Sequence, residues 1–409
     1  VTSNDFFEGD KSVFKGEVTD FATMSEFIVL AGKDEESKEL RAYASLDGKL
    51  FEQAHFPYNF QDGHANEYTV LDSSTHAVNL FVLTEDGSDQ QHGSIIKSNS
   101  NGTSYVLSAS KVNCDENMYV DFEKVPGIEG VTIINVVADT KEEKKKKLQT
   151  KISHNDGTEW AYLAPPRKDV DGNSYECASS RGDDSCALHI HHYTERDDKR
   201  KTFAATTAVG LIFAIGNVGP SLGDIEDADT FMSPDGGITW HNVKKGHWTW
   251  QYGDQGSITV LVQRATRKND VKTKSVSYSL DEGQTWADFQ FAENDVTVLD
   301  ITTVSTGASR NFLIWAKTDD GKLFTANLDF TGLTDRPCEW TDGDDSDYYL
   351  WSPTHPNQDT DCLFGHVAQY KRKKPDRQCY NNQNLNRLHG YRHCECTRQD
   401  YEWYASPLS

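Results

Sequence analysis

The residues with the clearest chemical potential lie in one run, Cys186-Ala187-Leu188-His189-Ile190-His191-His192. On a strand, His189 and His191 share a face. Two imidazoles on one face can ligate a metal, titrate near endosomal pH, or settle into structural hydrogen bonds. No carboxylate or third histidine stands at a convincing spacing for a metal, which favours the structural pair. The cysteines are Cys114, Cys177, Cys186, Cys338, Cys362, Cys379, Cys394 and Cys396, five of them after Pro337. Such crowding points to disulfides and an oxidising compartment. The spacing of Cys177 and Cys186 would close a small loop, stabilising by roughly 2–3 kcal/mol on the loop-entropy argument. Zinc competes for Cys394 and Cys396, but the C-x-C spacing lacks a matching second pair. The turn sequence Asn101-Gly102-Thr103 is a glycosylation sequon, in keeping with a luminal or extracellular location. No cofactor or metal is called for.

These residues need elements to hold them, and the clearest elements are turns. Ser233 to Trp240 reads S-P-D-G-G-I-T-W, and Ser279 to Trp286 reads S-L-D-E-G-Q-T-W. Both fit S-x-D-x-G-x-T-W, the Asp-box pattern. Asp235 and Asp281 can accept from backbone N–H groups a few residues on. Gly237 and Gly283 allow a positive φ, and Trp240 and Trp286 bury a ring beside the corner. Weaker copies run Ser153 to Trp160, with Asn155 in the Asp position, and Ser98 to Tyr105, with Ser100 there. A shortened copy uses Ser45, Asp47, Gly48 and Phe51. The copies lie about 50 residues apart, apart from one longer insertion, which suits one four-stranded propeller blade per repeat. The boxes are read as scaffold that binds nothing.

Around them stand short runs of strand composition: Glu26 to Ala31, Ala77 to Leu83, Val131 to Val137, Leu211 to Gly216, Ser257 to Gln263 and Phe312 to Lys317. The expected class is all-β: propeller blades over residues 1–336, then a small disulfide-rich module over 337–409, where strand runs fade and cysteines replace a core. Lys141 to Lys147 reads as a solvated hairpin loop. Asp169 to Cys186 is the insertion that lengthens one repeat. The aromatic run Gly246 to Gly256 suits packing between blades.

The 409 residues carry a net charge of −23, which argues against nucleic acid as partner. No apolar run reaches the ~18 residues of a membrane span, and the amino terminus has no basic-then-apolar signal. A mature fragment of a secreted or membrane-anchored protein fits both observations.

The chain resembles the luminal domain of the sortilin family, within its fungal vacuolar-sorting branch. The resemblance rests on Cys177 with Cys186-Ala187-Leu188-His189-Ile190-His191, the two full Asp boxes, Tyr119 to Val125, and Gly253-Asp254-Gln255-Gly256. It continues through Cys362-Leu363-Phe364-Gly365-His366, Tyr370 to Pro375 and Cys394-Glu395-Cys396-Thr397. It implies the later part of a ten-bladed propeller and the start of a ten-cysteine module, in a chain without the early blades, the membrane anchor or the sorting tail. It pairs Cys177 with Cys186, Cys338 with Cys379, and Cys362 with Cys394. Cys396 would need a downstream partner, but Trp403 stands where the family has one, and Cys114 has no evident partner.

The implied function is a sorting receptor. It would bind soluble vacuolar hydrolases, such as carboxypeptidase-type precursors and their pro-segments, in the late Golgi and release them in acidic endosomes. Its membrane contact and its cytosolic retrograde coat would come through an anchor and tail outside this chain; a dimer is open. In the family, a serine and an arginine in the propeller tunnel clamp a ligand's terminal carboxylate. Here Ala31 and Leu40 match them, so that clamp is not kept. Arg41 is adjacent, but one step along a strand turns to the other face. Tyr68 and Val70 match the neighbouring tyrosine and aliphatic residue. The expected ligand-binding residues are therefore Tyr68, Val70 and Arg41, and the expected pH sensors His189, His191 and His366. The rivals are a sialidase-like glycoside hydrolase, which needs a carboxylate pair or tyrosine nucleophile that nothing singles out here, and an adhesion or interaction propeller.

Overall fold

The structure is a computed structural model that describes residues 5–6, 8–9, 18–24, 26–33, 40–57, 68–72, 75–85, 91–138, 146–177, 179–196, 201–266, 268, 270–341, 343–356, 360–381 and 388–395. Most of the Lys141–Lys147 run, Cys396 and Trp403 lie outside these. The described chain is all-β, with only short 3-10 turns between strands. No helix among the described residues is long and apolar enough to cross a membrane.

The strands form successive antiparallel meanders. The first is β1 (Val18–Met24), β2 (Phe27–Lys33), β3 (Leu40–Ser45) and β4 (Glu52–Gln53). The second is β5 (Tyr68–Asp72), β6 (Asn79–Glu85), β7 (His92–Ser98) and β8 (Tyr105–Asn113). The third is β9 (Phe122–Lys124), β10 (Thr132–Val137), β11 (Leu148–Ser153) and β12 (Ala161–Tyr162). A Val136–Val112 pairing joins the second and third into one eight-stranded sheet. The fourth is β13 (Ala187–Ile190), β14 (Ile212–Gly219), β15 (Asp229–Ser233) and β16 (His241–Lys244). The fifth is β17 (Trp248–Gly253), β18 (Ile258–Gln263), β19 (Ser275–Ser279) and β20 (Ala287–Gln290). A three-stranded sixth follows, with β21 (Thr297–Thr302), β22 (Asn311–Lys317) and β23 (Leu323–Asp329). Each of the six apolar runs read from the sequence lies on the second strand of its meander.

Buried side chains fill the seams between meanders. Phe213 on β14 stacks on Trp250 of β17 at 5.8 Å, with Tyr252 and Met232 in the same cluster. The aromatic run around Trp250 thus packs one meander on the next, as its alternation predicts.

The box turns connect third strands to fourth strands, and their own side chains close them. Thr239 N donates to Asp235 Oδ1 at 2.9 Å, and Gly237 N donates to Ser233 Oγ at 2.8 Å. Asp281 repeats this with Thr285 N at 2.9 Å, and Asn155 does so with Glu159 N at 2.9 Å. Gly237 has φ +91°, and a Cβ there would stand 2.4 Å from Ile152 Cδ1. In the copy from Ser98 to Tyr105 the accepting side chain is Asn99, not Ser100: Thr103 N donates to Asn99 Oδ1 at 3.0 Å. Asn99 Oδ1 also accepts from Ser104 N at 3.3 Å, the N–H that the carboxylate takes in the full boxes.

Strands do not fade after Pro337. β24 (Tyr348–Trp351), β25 (His366–Lys373) and β26 (Leu388–His393) make a further sheet. Nor is this region held by disulfides alone. Ala368 and Tyr370 of β25 are buried in one cluster with Ile128, Ile133, Ile212 and Trp240 of the third and fourth meanders. The sequence reading missed this sheet because its strands are rich in Lys, Arg, His and Tyr, whose apolar stems and rings pack while their tips stay polar.

Candidate functional site

Tyr68 and Val70 sit on β5, where alternation turns both toward the seam with the first meander. They pack on the cluster of Phe27, Val29, Leu80 and Ile96. Tyr68 meets Phe56 edge-on at 6.3 Å, and its hydroxyl donates to the Arg41 carbonyl at 3.2 Å. Arg41 is paired with Gly32 across β2 and β3, and Ala31 with Ala42. The structure thus brings Tyr68, Val70 and Arg41 to one half-buried seam, with Arg41 contributing its backbone carbonyl.

The same strand ends at Asp72 on the rim of a cavity of about 690 Å³, whose lining includes Thr75, Lys124, Glu129, Gln255 and Tyr391. Lys124 Nζ lies 2.6 Å from Asp72 and 3.0 Å from Asp156 Oδ1, while the buried Lys97 pairs with Asp156 Oδ2. Burial lowers the pKa of both lysines, that of Lys97 well below the ordinary lysine value. A buried ammonium is tolerated only beside such carboxylates. This network ties the second meander to the third, and nothing in the local pattern around Lys97 or Asp156 announced it.

The C-terminal sheet closes the far side of this cavity and rests on the box turns. Arg372 Nη1 donates to the Pro234 carbonyl of one box at 2.8 Å, and Nε to Glu282 Oε1 of the next at 2.9 Å. His355 Nδ1 contacts the His154 carbonyl in a third box. Asn381 N donates to Asp254 Oδ1 at 2.9 Å, and Arg310 lies 4.0 Å over the Tyr380 ring. The boxes therefore do bind something: their variable positions hold this chain's own C-terminal sheet. Arg372 and Asp254 lie in runs that the sequence singled out, but no role could be read for either.

The three histidines differ. His189 is buried, accepts from Thr150 N through Nδ1 at 2.9 Å, and faces the Gly219 carbonyl through Nε2 at 3.0 Å. Burial drops its pKa to about 4, so it stays neutral across the endosomal range. His191 is buried against Glu195 through Nδ1. His366 Nε2 lies 2.7 Å from Oε2 of Glu129, a residue that lines the large cavity. His191 and His366 thus each lie against a carboxylate, whereas His189 faces backbone groups.

Cys177–Cys186, Cys338–Cys379 and Cys362–Cys394 are disulfides, as the resemblance implies, and Cys114 is a buried thiol. Among the described residues, the one cluster with metal-ligand geometry is Cys338, Asp347 and Cys379; its two sulfurs are bonded to each other. Asn101 is exposed at the tip of its turn.

The family model described as sortilin, neurotensin receptor 3, matches residues 1–301, and its C-terminal companion matches residues 303–404. A protein of Colletotrichum graminicola named vacuolar protein sorting/targeting protein 10 is 63% identical over 403 residues, 98% of this chain and 26% of its own length. Its namesake in Fusarium vanettenii is 63% identical over 410 residues, 98% of this chain and 27% of its own. The Neurospora crassa protein of that name is 54% identical over 406 residues, again 98% of this chain and 26% of its own. The chain thus spans about a quarter of these relatives, whose names refer to sorting and not to a reaction. With both family models matched in succession and this identity along nearly its whole length, the chain belongs to the sortilin family.

Proposed function

We propose that this chain is a cargo-binding luminal region of a sorting receptor. It takes soluble vacuolar hydrolases, such as carboxypeptidase-type precursors and their pro-segments, in the late Golgi and releases them in acidic endosomes. The observation that carries this reading is the high identity, along nearly the whole chain, to proteins named for vacuolar sorting. The geometry supports it with a cavity of about 690 Å³ between the meander loops and the C-terminal sheet, large enough for several side chains of an extended peptide. Residues 1–336 form the propeller part in this reading, and 337–409 the start of the cysteine-rich module. Tyr68 and Val70 support the wall of the peptide path, and Asn101 carries a glycan. Acid release runs through His191 and His366, whose rings lie against the Glu195 and Glu129 carboxylates.

The test is calorimetric titration with a vacuolar hydrolase pro-segment at neutral pH and near pH 5. Binding at neutral pH that weakens in acid, and weakens further in Tyr68→Ala, supports the reading. No binding at either pH removes it.

A further inference from the structure

The charges on the wall of the cavity of about 690 Å³ do not balance. Asp72 and Lys124 lie 2.6 Å apart, and Lys124 also meets Asp156, the partner of the buried Lys97. Two lysines and two aspartates thus cancel within one network. Glu129 is the lining charge left over. Its side chain is 36% exposed, and among the described residues no lysine or arginine forms an ion pair with it. Its field reaches Lys124, but that ammonium is bonded to Asp72 and lies against Asp156.

The turn between β9 and β10 fixes where this carboxylate stands. Val125 N donates to the Val131 carbonyl at 2.9 Å and closes the turn. Gly130 has φ +78°, and a Cβ there would stand 2.4 Å from Leu363 Cδ2, so the turn lies tight against the C-terminal module. From that module the Tyr391 hydroxyl donates to Glu129 Oε1 at 3.3 Å, and His366 Nε2 lies against Oε2. The Tyr391 ring meets the His366 ring edge-on at 4.4 Å and is itself 46% exposed. Glu129 is therefore held in place by an imidazole and a phenol, neither of them a permanent cation, beside an open aromatic face.

The chemistry of a matching ligand follows from these groups. A guanidinium or an ammonium makes charge-assisted hydrogen bonds to a carboxylate and is drawn to the face of an aromatic ring. Thr206 and Thr207, on the same lining, offer hydroxyl oxygens to the remaining N–H groups of such a cation. The volume admits a long basic side chain together with its neighbours in an extended peptide. An apolar group in its place would cover Glu129 without replacing the water it loses.

We propose that Glu129 anchors a basic side chain, arginine or lysine, of a peptide entering this cavity, with the Tyr391 ring lying over the cation. Glu129 meets the cation, and His366 and the Tyr391 hydroxyl position the carboxylate. The inference rests on the receptor reading, for which it names the chemistry that holds cargo at this cavity.

The experiment is ligand-observed NMR and calorimetric titration of the 409-residue chain at pH 7 with four tripeptides, acetylated and amidated so that none carries a terminal charge. They are Gly-Arg-Gly, Gly-Lys-Gly, Gly-citrulline-Gly and Gly-Glu-Gly. A basic tripeptide is expected to bind about tenfold tighter than the neutral citrulline one, the scale of one charge-assisted contact. Glu129→Gln should abolish that preference, and Tyr391→Leu should weaken it with the carboxylate still present. Glu129→Lys should turn the preference toward the glutamate tripeptide, a reversal that damaged folding does not produce. Glu52→Gln removes an exposed carboxylate on the outermost strand of the first meander and should change nothing, which excludes diffuse attraction to a chain of net charge −23. Equal binding of the citrulline tripeptide, no binding of either basic one, equal losses in Glu52→Gln and Glu129→Gln, or a folded Glu129→Lys protein that still prefers arginine would each overturn the proposal. A hydrolase pro-segment that fails to bind while the tripeptides behave as expected removes the receptor reading and keeps the site; a pro-segment that binds while they do not does the reverse.

Discussion

The Arg372 guanidinium on β25 is bonded to the Glu282 carboxylate of the second full Asp box, Nε to Oε1 at 2.9 Å and Nη2 within 2.6 Å of Oε2. Its remaining edge takes the Pro234 carbonyl of the preceding box. One side chain thus clasps two successive turns, and it is only 3% exposed. Trp351 and Tyr349 flank it at 5.1 and 5.9 Å. The ion pair is therefore structural: it holds the C-terminal sheet against the meanders.

Breaking that pair leaves a carboxylate and a carbonyl without their donor. Arg372→Met is expected to cost about 3 kcal/mol, the low end for a buried pair because Glu282 keeps some solvent. Glu282→Gln should cost less, and the double variant should cost less than the sum. Chemical denaturation of the four proteins measures this; additive losses would show that the two residues do not act as a unit.

Asp254 gives a pH signature at the same junction. Burial raises its pKa from 3.8 to about 6, against the opposing hydrogen bonds from Ser257 and Asn381. The folded state then holds this proton over a range where the unfolded chain has released it. Its contribution is complete below about pH 4 and is lost as the pH rises through 6. Relative to Asp254→Asn, the parent should lose stability between pH 4 and 6 and change little above that. A flat difference across this window would contradict the burial argument.

His189 works in the opposite direction. Its folded pKa of about 4 lies below the unfolded value of 6.5, so the unfolded chain takes up the proton first. Stability is therefore drained as the pH falls from 6.5 toward 4. In an NMR titration the His189 ring should stay neutral at pH 5, while a ring that titrates near 6 would return it to the list of pH sensors.

The disulfides should rank by the chain they close. On the loop-entropy model, Cys338–Cys379, with a separation of 41 residues, is worth about 4 kcal/mol. Cys177–Cys186, with a separation of 9, is worth roughly 2.5 kcal/mol. Paired Cys→Ala variants compared by denaturation test the order. An equal or reversed ranking would mean that native contacts of the short 177–186 loop outweigh closure entropy.

What the sequence determined by itself is what the chain settles within a few residues. Ser233, Asp235, Gly237 and Thr239 close their turn on one another, so the pattern alone announced the hairpin, its repeat and hence the meanders. The one internal slip there, Ser100 for Asn99, was a slip of one residue between two small polar side chains. Cys177 and Cys186 were also legible from spacing. Only the tertiary structure decided which distant partner each group meets. Arg372 reaches 138 residues back to Pro234, Asn381 reaches 127 back to Asp254, and Lys97 finds Asp156 across a seam. It also decided that His189 is buried enough to stay neutral. The physical reason is range. Turn chemistry is set by covalent reach along the chain, whereas burial and charge pairing arise only when meanders close on each other, and no local pattern encodes which faces will meet.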